Sequence, residues 1–213
     1  MDSKPLVAEF IGTFALVFIG AGAGAVSGNI VAVALAHGLV IVAFAYAYGH
    51  ISGTHINPAV TIGLWVSREI ETTKAVAYII VQLLGGIVAG FLLGFLLSGQ
   101  GTSLGATVLA VGVTPVQGLI IELILTFFLV NSVLNAGVSN RAGIMAPVAI
   151  GLTLAFSIMM GGNLTGASLN PARTLGPGLA SGNMADIWLY FVGPIAGGIL
   201  AGLLYTYFLK SSE

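Results

Sequence analysis

Laid over itself with a shift of 113 positions, the sequence repeats without a gap. Glu9 falls on Glu122, Thr13 on Thr126, Phe14 on Phe127, Gly38 on Gly151, Gly49 on Gly162 and Gly53 on Gly166. Each copy then carries an Asn-Pro-Ala triplet, Asn57-Pro58-Ala59 and Asn170-Pro171-Ala172, followed by Thr61 with Thr174 and Gly63 with Gly176. Past that point the shift is 112, so that Tyr78 meets Tyr190 and Gly85-Gly86 meets Gly197-Gly198. A chain written twice folds as two like units, and the question becomes how often each unit crosses its surroundings.

The surroundings follow from charge. Only 6% of the 213 residues are charged and 57% are hydrophobic, whereas a soluble domain carries roughly 25% charged residues. Such a chain cannot cover itself in water, and the bilayer is its expected solvent. The 31 glycines suit that solvent, because membrane helices pack closely through small residues. A net charge of −1 gives a nucleic-acid partner no support, and the lack of cysteine removes thiol chemistry and disulfides. Residues 1–27 share features with a signal peptide. Glu9 interrupts their apolar run, however, and the same stretch recurs at 121–130, so we read it as a first span.

A spanning helix needs about 20 apolar residues. Six stretches qualify, near 5–26, 30–49, 73–97, 117–138, 144–162 and 186–209, while 57–67 and 170–180 are too short to cross. The expected fold class is therefore an all-α membrane protein with six transmembrane helices and two re-entrant half-helices. Residues 1–213 read as one transmembrane channel domain, with repeats at approximately 5–97 and 117–209. Three spans per repeat force the halves into opposite orientations, an inverted repeat whose functional site lies near the midplane. Even spacing puts Lys4, Arg68, Lys74, Arg141 and Lys210 on the face that holds both termini. The positive-inside rule makes that face cytoplasmic. The remaining basic residue, Arg173, sits inside the second half-helix and needs another purpose.

Asn favours the helix N-cap and Pro the first helical position, so each triplet reads as a helix start. In an inverted repeat the two starts meet in mid-membrane. The irregular backbone leading to them, expected at 49–56 and 162–169, is tolerated there only if buried or facing water. Its carbonyls are candidate acceptors along a pore. Two helix N-termini bring roughly half a positive charge each, and the Asn57 and Asn170 amides donate into the same point. A water that accepts from both cannot also accept from the next water, which breaks a proton wire while the dipoles repel cations. A lone Asn-Pro-Ala would be an ordinary helix start; two copies at matched repeat positions are not.

These residues resemble the aquaporin, or major intrinsic protein, family. The likeness rests on Ala8-Glu9-Phe10, on the run from Ser52 through Thr61, on Tyr78 with Gln82, and on Ser168-Leu169-Asn170-Pro171-Ala172-Arg173-Thr174. The phrases from His55 to Trp65 and Leu104-Gly105-Ala106-Thr107 are most similar to archaeal members. The resemblance implies the aquaporin fold, a homotetramer of independent pores in a cell membrane, and passive, bidirectional water movement. No cofactor or metal is implied. The resemblance also assigns Glu9 and Glu122 to support of the half-helices. From the residues alone, a buried acidic pair is either such a strut or a proton relay.

The family's constriction lies 20 residues before the first Asn, then 12 before, 3 before and 3 after the second. Here these positions are His37, Ile158, Ala167 and Arg173. Strict water channels usually carry Phe at the first of these positions and His at the second. His37 with Ile158 and Ala167 looks more like the filter of plant tonoplast aquaporins, with an opening that is wider and less polar on one side. The implied permeants are water and small neutral solutes, ammonia among them. Glycerol channels usually carry Asp where this chain has Thr174, and less aromatic residues where it has Tyr190-Phe191.

Other residues read more plainly. Gly86, Gly90 and Gly94, and Gly198 with Gly202, form small-residue packing faces, and Trp65 and Trp188 are interfacial anchors. His50 and His55 flank the re-entrant loop and either hold it, line the vestibule or gate it. Rival readings are a secondary transporter, which shares the broken-helix signature, a membrane enzyme, and an occluded junction protein. The first lacks an asymmetric titratable group at the midplane, and the second lacks a nucleophile or base cluster.

Overall fold

A computed structural model describes residues 2–210. The described residues are helical with no strand. They form α1 (Ser3–Ser27), α2 (Ile30–Ser52), α3 (Pro58–Val66), α4 (Thr72–Leu96), α5 (Pro115–Ser132), α6 (Ala146–Thr165), α7 (Pro171–Ser181) and α8 (Ile187–Leu204). α5 continues through a wider π-type turn at Val133–Val138, and α8 through another at Tyr205–Leu209. Among the described residues, six helical runs are long and apolar enough to cross a bilayer, and α3 and α7 are short. The architecture is the expected one: six spans and two re-entrant half-helices.

The caps are written locally. Asp2 accepts from the Lys4 N–H to start α1, and Asn29 accepts from Val31 and Ala32 to start α2. Thr114 and Gln117 form a reciprocal capping box on α5. Two boundaries differ from expectation, and they differ together. α2 and α6 run past Gly49 and Gly162 to Ser52 and Thr165. The stops are instead Gly53 and Gly166, at φ +88° and +81°, a left-handed conformation that only glycine adopts cheaply. Their N–H groups close on the Gly49 and Gly162 carbonyls. The non-helical backbone is thus shorter than 49–56 and 162–169, beginning at Gly53 and Gly166.

Packing repeats between the halves. α1 lies on α4 and α5 lies on α8, with Gly85 against the Phe10 carbonyl and Gly197 against the Leu123 carbonyl. α3 wedges onto α8, and α7 onto α4. A methyl group at Gly198 would sit 2.5 Å from the Ala59 oxygen, and one at Gly202 would sit 2.6 Å from the Gly63 oxygen. Gly86 and Gly90 bring α4 equally close to the backbone of Ala172 and Gly176. α2 and α6 cross where Gly38 and Gly151 face each other, each one's missing methyl lying 2.6 or 2.5 Å from the other's carbonyl oxygen. Self-paired equivalents are what a two-fold relation produces at its axis. Large apolar side chains such as Leu39, Phe91, Phe95, Leu152 and Phe156 remain exposed on the outside, where lipid would meet them.

Candidate functional site

The two half-helices meet end to end. Asn57 and Asn170 are their N-caps, and Pro58 and Pro171 open the first turns. Asn57 Oδ1 accepts from the Ala59 N–H at 2.8 Å. Asn170 Oδ1 accepts from Ala172 at 2.9 Å and from Arg173 at 3.3 Å. Each side-chain amide then reaches across the junction. Asn57 Nδ2 donates to the Leu169 carbonyl at 2.8 Å, and Asn170 Nδ2 donates to the Ile56 carbonyl at 3.0 Å. A side-chain amide has two N–H donors. One is spent locking the opposite loop, and both asparagines also line the central cavity, where the second N–H is available.

The loops that supply those carbonyls are strained in parallel. Thr54 and Ile56 have φ of +51° and +41°, and Ala167 and Leu169 have φ of +41° and +54°. Such conformations at non-glycine residues cost about 1–3 kcal/mol each and persist only when their surroundings hold them. The buried acids bond to both loops. Glu9 accepts from the N–H groups of His55 (2.9 Å) and Ile56 (2.6 Å), and from Ser52 Oγ and Gln82 Nε2. Glu122 accepts from the N–H groups of Ser168 (2.9 Å) and Leu169 (2.8 Å), and from Thr165 Oγ1. Tyr78 and Tyr190 donate to the last helical carbonyls, those of Ser52 and Thr165. Residue type differs between the repeats at His55, whose counterpart is Ser168. His55 Nδ1 pairs with Thr61 Oγ1, and its ring lies edge-on to Tyr78. Ser168 makes the equivalent bond to Thr174, the counterpart of Thr61. His55 therefore holds the first loop and also lines the cavity. His50, in the last turn of α2, is exposed.

The cavity passes both asparagines and measures about 50 Å³. At roughly 10–15 Å³ of such space per water, it holds a short file and not a pool. Its lining combines polar residues, His37, Thr54, His55, Ser168 and Arg173, with apolar ones, Leu16, Val60, Leu129 and Leu154.

The four sequence-derived filter positions divide in two. His37 and Arg173, 2% and 4% exposed, reach the cavity wall. Ile158 and Ala167, each 1% exposed, pack in the apolar core with Leu125 and Leu154 and are not among the residues lining this cavity. Arg173 donates through Nη1 to the Gly105 carbonyl at 2.7 Å. His37 Nδ1 lies 2.9 Å from the Val33 carbonyl. A carbonyl only accepts, so Nδ1 carries the hydrogen and Nε2 of the neutral ring is left as an acceptor. Among the described residues, the buried side-chain polar atoms without a protein partner are His37 Nε2 and Arg173 Nε. An unmatched buried polar atom costs about 1–3 kcal/mol, and both fall on this pair.

Sequence reasoning gave no role to Gly105 or Thr107. The 97–114 connection folds back so that Gly105 holds Arg173 and Thr107 Oγ1 pairs with Thr174 Oγ1. Its length was the available signal, since long ordered loops are usually functional.

Comparison with known proteins follows the same lines. The Major intrinsic protein family model matches residues 2–205. Aquaporin TIP4-4 of Zea mays is 40% identical over 95% of this chain and 85% of its own length. Aquaporin AqpM of Methanothermobacter thermautotrophicus is 42% identical over 96% of this chain and 97% of its own. A solved aquaglyceroporin from Plasmodium falciparum is similar in fold, with a TM-score of 0.87 at 26% identity, covering 97% of this chain and 96% of its own.

Proposed function

The chain belongs to the major intrinsic protein family, membrane channels and not enzymes, and on that footing we propose a passive, bidirectional water channel that excludes protons and ions and also passes ammonia. The observation that carries this reading is the reciprocal crossing of Asn57 and Asn170. Each keeps one N–H for the cavity, while the nearby Ile56 and Leu169 carbonyls already accept. A water at that point accepts two hydrogen bonds and turns its own hydrogens away along the file. Neighbouring waters then point in opposite directions and no proton wire runs through, and the two helix N-termini repel cations.

Solute choice is assigned to His37, Ile158, Ala167 and Arg173, of which His37 and Arg173 line the cavity while Ile158 and Ala167 pack in the apolar core. Glu9 and Glu122 act as struts that shape the re-entrant loops. The unit is one channel domain with repeats near 5–97 and 117–209. It assembles as a homotetramer in a cell membrane with both termini cytoplasmic. A glycerol facilitator is the second reading, favoured by the aquaglyceroporin structure. It ranks lower because aquaporins at 40–42% identity are nearer than that structure at 26%.

Light scattering from proteoliposomes under water, ammonia and glycerol gradients tests both readings. Water and ammonia flux above empty vesicles, with little glycerol flux, is expected. Glycerol flux comparable to water flux reverses the ranking. Arg173→Ala and His37→Phe should each change the ratio of solute to water flux, and an unchanged ratio in both removes the filter assignment.

A further inference from the structure

The imidazole of His37 has a seat, and α1 provides it. Gly20 is buried on α1 facing α2. The three heavy atoms nearest to a methyl group added there all belong to His37: Cδ2, Nε2 and Cε1, with Cε1 at 2.6 Å and the other two nearer still. The ring edge carrying the unpartnered Nε2 therefore rests on the bare backbone of α1. The opposite ring nitrogen is tethered to the Val33 carbonyl of its own helix. Helix backbone lies on those two sides, and His37 also borders the cavity that Arg173 and Leu16 line.

We infer that Gly20 is the positioning residue that keeps His37 folded back from the lumen and so sets the bore of the channel. Nε2 gains no hydrogen bond in its seat, so polar bonding on that edge does not hold the ring there. The seat depends on the absence of a side chain at Gly20. A Cβ at this position displaces the ring, which already borders the cavity. A ring is the movable end of a side chain, so the helices need not shift. This deepens the proposed function, since it takes the water-filled cavity as the path and names a residue outside the four filter positions that governs its width.

The test is a double-mutant cycle in proteoliposomes with Gly20→Ala, His37→Ala and the combined variant, read as water permeability per channel. Gly20→Ala should lower water flux about tenfold, equivalent to about 1.4 kcal/mol in the barrier. The combined variant should match His37→Ala, because the atoms the added methyl strikes first belong to the ring. Equal flux in Gly20→Ala and parent overturns the inference, as does a combined variant still tenfold below His37→Ala. If Gly20→Ala alone fails to fold and the combined variant folds and conducts, the clash is with the ring and the inference stands. If both fail, α1 needs glycine for other reasons and the inference falls. Nitrogen-15 spectra of the three histidines give a flux-independent reading. The His37 signal should show the Nδ1–H tautomer in the parent and lose it in Gly20→Ala. A parent without water flux refutes the proposed function alone, and the spectra still decide on Gly20.

Discussion

Replacing Glu122 by Gln separates a strut from a relay. The carboxylate takes three donors: Thr165 Oγ1 and the Ser168 N–H on Oε1, and the Leu169 N–H on Oε2. A glutamine that keeps its oxygen in the first position turns its NH2 toward Leu169, so one buried N–H faces another. An unmatched buried donor costs about 1–3 kcal/mol. For a domain of this size, 1 kcal/mol corresponds to about 2–4 °C, so the midpoint should fall by about 2–12 °C. Leu169 also sits at φ +54° and presents the carbonyl that accepts from Asn57. Releasing its N–H therefore loosens the junction, and water flux should fall several-fold with the midpoint. Glu122→Leu strands all three donors and should not yield folded channel. Thermal unfolding in detergent and stopped-flow light scattering give the two readouts. Unchanged midpoint and water flux in Glu122→Gln would refute the strut, and a loss of proton-coupled flux alone would favour a relay.

Other expectations follow from the same geometry. Asn57→Ala removes a cap worth about 1 kcal/mol together with the bond to Leu169, so both the thermal midpoint and water flux should drop. Asn170→Asp puts a negative charge between two helix N-termini and removes the donor to Ile56, so a cation leak measurable with a pH-sensitive dye should appear. Gly38→Val forces α2 away from the Gly151 backbone and should abolish monodisperse protein on size-exclusion chromatography.

What the sequence revealed was governed by how local the cause was. The half-helix starts were readable because Asn-Pro is a cap whose partners lie within three residues. Glu9 and Glu122 were legible as buried acids that accept from re-entrant backbone N–H groups, although the side-chain partners Ser52, Gln82 and Thr165 were not. The stops of α2 and α6 were misplaced because two glycines per repeat compete for the role. Only the left-handed turn at Gly53 and Gly166 decides between them. The Gly105 contact to Arg173 and the seat of His37 on Gly20 were hidden, since both depend on backbone atoms that any sequence possesses.

The Asn57 amide closes on a carbonyl 112 residues further along the chain. At synthesis rates of about 5–20 residues per second, the first loop waits roughly 6–22 seconds before its partner exists. During that interval Glu9, Ser52 and Gln82, all from the first half, can already shape the loop, but nothing yet locks Asn57. The crossing that finishes the interior therefore waits on the second half of the chain. A nascent chain halted before residue 169 would carry a preformed entrance with no passage behind it.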